Sequence, residues 1–182
     1  LNLAKMVPGK EEFWGLVDWF SEMLKSSGAE VKLGELVTSS DVIDFDEVII
    51  ATGVSPRDPK IKGHEKNNVV SYVEVLNGTG QIGQKVAVIG AGGIGFDVSE
   101  YLVHENKSDN KQIEIPKWMK EWGVGDPNKT PGGLAESGPK PEAAVRQVTL
   151  MQRKKQKLGR NLGKTTGWIH RSALKMKNVQ MI

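Results

Sequence analysis

The chain of 182 residues contains no cysteine and only three histidines. The absence of cysteine excludes disulfides, thiolate catalysis and cysteine ligation of an iron–sulfur cluster by this chain. The histidines His64, His104 and His170 lack the sequence spacing of a metal site. No apolar run approaches the roughly 20 residues that cross a bilayer. We therefore expect no metal ligands, no membrane partner and a cytoplasmic location.

An initiator methionine and a signal-peptide pattern are also missing, because the chain starts at Leu1. We therefore expect a piece of a longer polypeptide. A hydrophobic fraction of 38% with a charged fraction of 26% is typical of a folded globular protein. All 22 acidic residues precede residue 143, whereas 10 of the 25 basic residues follow it. This basic end either attracts phosphate groups or is a solvated surface.

The first part of the chain has helical and strand patterns in succession. Apolar residues spaced by three and four between Phe13 and Leu24 predict an amphipathic helix. A short strand is predicted at Val31–Leu33. The continuous apolar run Val48–Ala51 is typical of a strand buried on both faces. Ser71 and Glu74 have the spacing of a capping box for a short helix.

The second part of the chain alternates strands with helices. A buried strand is predicted at Lys85–Ile89, followed by a glycine cluster and a helix from Gly93 to about His104. Periodicity then fails near 105–144, which we interpret as an insertion. A strand at Gln147–Met151, a helix at about 165–176 and a strand at 179–182 complete the pattern. The alternation predicts an α/β fold with a Rossmann-like parallel sheet.

The glycine cluster reads Gly90-Ala91-Gly92-Gly93-Ile94-Gly95. A strand before it and a helix after it are the context that a dinucleotide-binding turn requires. Gly90 would allow the tight turn, Gly92 the approach of a pyrophosphate, and Gly95 close packing of helix and strand. The free N–H groups and dipole of the helix N-terminus favour a bound diphosphate. A glycine turn without a ligand is the alternative.

The residue that ends the next strand selects the nucleotide. An acid there binds the ribose 2′-hydroxyl of NAD(H), whereas an arginine suits the 2′-phosphate of NADP(H). Glu114 has close to the usual spacing, but its candidate strand, 112–115, is short. The longer strand that ends at Met151 leads to Arg153 and Lys154. We favour NADPH, with these two cations on its phosphate.

Several stretches resemble a known family. The segment Val48–Gly53 and the later glycine motif resemble the flavoprotein disulfide reductase superfamily, which has two dinucleotide-binding domains. The chain is more similar still to the C-terminal region of bacterial NADPH-dependent 2,4-dienoyl-CoA reductases. The stretches that carry this resemblance are Pro8–Phe13, Val88–Asp97 and Leu162–Arg171. The resemblance covers nearly the whole chain and is least specific around 105–144.

The resemblance implies one portion of a larger enzyme. In that family NADPH reduces FAD, a 4Fe-4S cluster passes the electrons to FMN, and FMN reduces 2,4-dienoyl-CoA in unsaturated fatty acid β-oxidation. Residues 1–62 would be a partial FAD-binding domain, into which a C-terminally incomplete NADPH-binding domain, 63–182, is inserted. The partners would be NADPH and the missing FMN-barrel and FAD-domain segments of the same polypeptide. We do not expect this chain to perform the whole reaction alone.

Individual site residues follow from the resemblance. Ala51, Thr52 and Gly53 match the segment whose backbone approaches FAD, and Val37 matches the position whose main chain meets the adenine. Lys164 and Arg171 would complete a phosphate cradle. The simpler alternatives are a packing role for Val37, a strand-ending turn at Thr52–Gly53, and solvated cations. No catalytic side chain is implied, because hydride transfer requires the orientation of two cofactors.

Two other functions remain open at this point. A relative of trimethylamine dehydrogenase or of enoate reductases would share the architecture, and in that branch the nucleotide site has lost its redox role. The pair Arg153–Lys154 argues against that loss. The basic end also permits a nucleic-acid-binding module, but Trp168 is the only aromatic residue after Trp122. Because interleaved aromatics are missing, we expect no nucleic-acid partner.

Overall fold

The computed structural model describes residues 1–105 and 114–182. They form two compact units, one of residues 1–17 and 70–182 and the other of residues 18–69. The α-helices of the described residues are α1 (Glu12–Ser26), α2 (Tyr72–Leu76), α3 (Gly93–Val103), α4 (Ile115–Trp122) and α5 (Gly167–Met176). The strands are β1 (Lys85–Ile89), β2 (Gln147–Met151) and β3 (Gln180–Met181). Among the described helices, none has the length and apolarity that a bilayer crossing requires.

The three strands form one parallel sheet in the order β1-β2-β3. In its register Ile89 lies beside Met151, and Leu150 beside Met181. Helices α3 and α4 follow β1 in the chain, and α5 connects β2 to β3. This sheet confirms the predicted α/β fold of the Rossmann-like type. The assignment of the chain to an FAD-binding and an NADPH-binding domain stays a prediction.

The core lies between the sheet and α3, which packs on β1, β2, α2 and α5. Its most completely buried large side chains are Phe96, Leu102, Leu150 and Leu174. The strand predicted at Lys85–Ile89 is confirmed as β1, but its predicted burial is wrong, because exposed and half-buried residues alternate along it. Successive side chains of a strand point to opposite faces, so the described residues cover only one face of β1.

The segment between α3 and β2 contains α4 and an isolated bridge between Val124 and Leu134. The alternative strand at 112–115 is wrong for its two described residues, because Glu114 is the N-cap of α4 and Ile115 is the first residue of that helix. Proline in the first turn favours this helix start, since its missing N–H needs no partner there. Residues 112 and 113 lie outside the described part of the chain.

The unit of residues 18–69 has little regular structure beyond the end of α1. The predicted amphipathic helix is confirmed as α1, but the predicted strands at 31–33 and 48–51 are wrong. Ile49 is 89% exposed and Ile50 83% exposed. A strand needs a neighbour for its backbone hydrogen bonds, and no described strand pairs with this segment. The capping box that Ser71 and Glu74 predict is confirmed at the start of α2.

Candidate nucleotide-binding site

The glycine motif forms the turn between β1 and α3. Gly90 has a φ of 117°, a conformation that favours glycine, and Gly92 is the N-cap of α3. No side chain caps this helix start, so its first N–H groups remain available to a ligand. Nothing lies within 4 Å of the positions that a Cβ would take at Gly92 and Gly93. The turn therefore leaves open space where an anion would meet the helix N-terminus.

Gly95 fixes the distance between α3 and the end of β1. A Cβ at this position would overlap the Gly90 carbonyl oxygen and lie 2.9 Å from the Gly90 carbonyl carbon. Gly90 N–H in turn donates a hydrogen bond of 2.9 Å to the Met151 carbonyl. The turn is thus held against both α3 and the end of β2. This contact brings the residues after β2 beside the glycine motif.

A pocket of about 250 Å³ lies at this edge of the sheet. Its lining comprises Gly90, Ala91, Gly92, Gly93, Gln152, Arg153, Lys154, Gln156, Arg160, Asn161 and Leu162. The structure thus brings Arg153 and Lys154 together with the first four residues of the glycine motif. Arg153, Lys154 and Arg160 are cationic, and in the described part of the chain no carboxylate joins them in the lining. The pocket therefore suits a ligand with several phosphate oxygens.

The sequence did not predict five of the lining residues. They are Gln152, Gln156, Arg160, Asn161 and Leu162. The Gln152 side-chain amide donates to the carbonyls of Lys154 and Gln156 at 2.7 and 2.8 Å, and so shapes the loop after β2. The basic character of the loop was the only signal for Arg160. The other four residues belong to no sequence motif that would indicate binding, and their position depends on how the loop after β2 folds.

The remaining predicted residues do not line this pocket. Ile94 and Gly95 continue into α3, and the exposed Lys164 precedes α5. Arg171 donates a hydrogen bond of 3.1 Å to the Gly159 carbonyl, and it is not among the lining residues. The residues proposed for FAD lie in the unit of residues 18–69, where all of them are exposed: Val37, Ala51, Thr52 and Gly53. Their contacts with FAD stay predictions.

A separate group of charged side chains joins α3 to α5 and to the N-terminal segment. Lys10 Nζ lies 2.7 Å from Asp97 Oδ2, and His170 Nδ1 lies 3.3 Å from Glu100 Oε2. The hydrogen bond to Glu100 is the main cause that raises the pKa of His170, against the opposing effect of burial. His170 therefore belongs to an ion-pair cluster. It is not among the residues that line the pocket.

A family model described as pyridine nucleotide-disulphide oxidoreductase matches residues 18–182. The chain belongs to the pyridine nucleotide-disulphide oxidoreductase family. The predicted relationship to flavoprotein oxidoreductases that bind a pyridine nucleotide is thereby confirmed.

Relatives of this oxidoreductase domain include two curated proteins. Cinnamate reductase of Clostridium sporogenes is 36% identical over 111 residues, which are 57% of this chain and 16% of that protein. NADH oxidase of Thermoanaerobacter brockii is 33% identical over 111 residues, which are 58% of this chain and 17% of that protein. The chain therefore spans less than a fifth of the length of either relative.

A solved structure shares the fold of this oxidoreductase domain. The structure of 2-naphthoyl-CoA reductase with 2-naphthoyl-CoA matches with a TM-score of 0.65 and 19% sequence identity. The match covers 100% of this chain and 22% of that protein. At this identity the likeness establishes the fold alone.

Proposed function

We propose that this chain is the electron-input portion of a larger flavoprotein reductase, in which it binds NADPH and presents it to FAD. The observation that supports this proposal is the pocket between the glycine turn and the loop after β2. It combines an uncapped helix start with Arg153 and Lys154, which are placed beside it by the pairing of β1 with β2. Bound NADPH would supply the hydride.

Different residues of the pocket suit the diphosphate and the 2′-phosphate of NADPH. The open space at Gly92 and Gly93 suits the diphosphate, because backbone N–H groups approach it without a side chain. Arg153 and Lys154 suit the 2′-phosphate, since a guanidinium forms two parallel hydrogen bonds with phosphate oxygens. Glu114, the residue that would favour NAD, stands before α4 and does not line the pocket. The chain's own residues bind and orient the nucleotide and exchange no proton in this scheme.

The other cofactors belong to parts of the proposed enzyme outside this chain. A 4Fe-4S cluster would be held elsewhere, since this chain has no cysteine to ligate it. FMN would be held by the barrel domain that the resemblance implies. Val37 and Ala51–Gly53 would contribute backbone contacts to FAD. We propose residues 1–62 as part of an FAD-binding domain, residues 63–182 as an NADPH-binding domain, and a cytoplasmic location for the enzyme.

We propose 2,4-dienoyl-CoA as the substrate of the complete enzyme, as the resemblance of Leu162–Arg171 implies. The second candidate is a free unsaturated acid, in an enzyme of the enoate reductase type. The similarity to cinnamate reductase favours it. Both substrates carry a C=C bond conjugated with a carbonyl group, so the hydride-input step proposed for this chain is the same for each.

Calorimetric titration of the full chain with NADPH and with NADH tests the proposal. We expect NADPH to bind more tightly, because only it carries the 2′-phosphate. Equal affinities would overturn the assignment of NADPH, and the absence of binding by either nucleotide would overturn the nucleotide site itself. Assays of the complete polypeptide with 2,4-dienoyl-CoA and with cinnamate separate the two substrate candidates.

A further inference from the structure

The loop that closes the pocket is attached to the fold at Gly159. This residue is buried, has a φ of 69° and packs against Phe96 of α3. A Cβ at Gly159 would lie 2.8 Å from Phe96 Cζ and 2.7 Å from Leu162 Cδ1. Phe96 is itself 1% exposed and follows Gly95 directly in the chain. The loop is therefore packed on the same helix whose first turn borders the pocket.

A second attachment comes from Arg171 on α5. Its Nη1 atom donates a hydrogen bond of 3.1 Å to the Gly159 carbonyl, which also accepts a bond of 3.2 Å from Leu162 N–H. The next residues along the loop, Arg160 and Asn161, are exposed and line the pocket. Arg171 thus contacts the residue from which these two side chains extend.

We propose that Arg171 is a positioning residue for the nucleotide: it fixes Gly159 and thereby presents Arg160 and Asn161 to the pocket. This inference rests on the proposed function and differs from the direct phosphate contact that the resemblance implies for Arg171. The guanidinium donates its hydrogen bond to a backbone carbonyl of the loop. Its effect on the ligand is therefore indirect, through the position of the loop residues. Preorganised loops bind more tightly because less conformational entropy is lost on binding.

A double-mutant cycle tests this route. We measure the affinities of the full chain for NADPH and NADH by calorimetry in the unmodified protein, R171M, R160A and the double variant. R171M should weaken NADPH binding about fivefold or more, as expected for the loss of one positioned hydrogen bond. In the R160A background the same change should cost much less, because the side chain that it positions is gone. Arg171→Lys, which keeps a donor, should restore most of the affinity.

Other outcomes decide against the inference. Additive losses in the cycle would mean that Arg171 acts on the nucleotide independently of Arg160, and would overturn the positioning role. So would an R171M variant with a lowered melting temperature but unchanged affinity. Lys175→Met, an exposed change on the same helix, is the control and should leave binding unchanged. If R171M does not fold, Arg171→Gln repeats the cycle.

The two proposals fail in different ways. An unmodified chain that binds neither nucleotide would overturn the proposed function and this inference together. A chain that binds NADPH normally and is unaffected by the loss of Arg171 would overturn this inference alone.

Discussion

His170 Nδ1 lies 3.3 Å from Glu100 Oε2, and this contact joins α5 to α3 across a partly buried interface. Asp97 on the same face of α3 adds a second negative charge near the imidazole, and Lys10 opposes it. The hydrogen bond to Glu100 favours the protonated imidazole and raises its pKa in the folded chain. Folding is therefore coupled to the protonation of one histidine.

This coupling predicts a pH dependence of stability. Because the pKa of His170 is higher in the folded state, its ion pair contributes fully below the unfolded value of about 6.5 and is lost as the pH rises through the folded value. The difference in unfolding free energy between the unmodified chain and H170N should shrink as the pH rises over that range. Urea denaturation at about pH 5 to pH 9 measures it. E100Q should behave like H170N, and a difference that is independent of pH would contradict the prediction.

The contact between Gly95 and Gly90 predicts that Gly95→Ala destabilises the fold. The new Cβ would overlap the Gly90 carbonyl oxygen, so α3 must move away from the end of β1. We expect a loss of about 1–3 kcal/mol or more in the free energy of unfolding, measured in urea. Gly93→Ala is the matched control, because its Cβ meets nothing within 4 Å and it lies in the same helix. Equal stability losses in the two variants would contradict the packing role of Gly95.

A buried ion pair between Lys177 and Glu121 predicts a second position at which substitution strongly lowers the stability of the fold. Lys177 Nζ lies 2.9 Å from Glu121 Oε1, with side-chain exposures of 3% and 12%, and donates to the Glu142 carbonyl at 3.1 Å. Lys177→Ala leaves Glu121 charged without this partner and should cost about 3–5 kcal/mol of unfolding free energy. Lys175→Ala, exposed on α5, is the control. The double variant Glu121→Gln with Lys177→Met should recover part of the loss, and no recovery would argue against the ion-pair explanation.

The sequence predicted those parts of the fold that depend on local pattern. The helical spacing of α1, the capping box of Ser71 and the β1–turn–α3 unit are all encoded within a few neighbouring residues. The parallel sheet was also predicted, because strands that alternate with helices run parallel, and the structure adds that β1 pairs with β2. The strand predicted at Val48–Ala51 failed since a strand also depends on a neighbour, which local pattern does not supply.

The candidate site shows the same division. Gly90–Gly93 and Arg153 line the pocket and could be predicted from the sequence, because the glycine motif starts directly after β1 and Arg153 stands two residues after the end of β2. The place of Arg160 and Asn161 in the pocket lining could not be predicted, because it depends on the packing of Gly159 against Phe96. Gly159 and Phe96 are 63 positions apart in the sequence. The resemblance implied that Arg171 contacts a phosphate, whereas its guanidinium donates a hydrogen bond to the Gly159 carbonyl.

Arg153 carries the last prediction, which concerns the choice between nucleotides. If its guanidinium binds the 2′-phosphate, Arg153→Ala should weaken NADPH binding about tenfold or more, and NADH binding much less. Lys155→Ala is the matched control, because Lys155 is exposed in the same loop but does not line the pocket. Calorimetric titration of both variants with both nucleotides gives the comparison. Equal losses of affinity for NADPH and NADH would mean that Arg153 contacts a part that both nucleotides share, such as the diphosphate. The basis for preferring NADPH would then be gone.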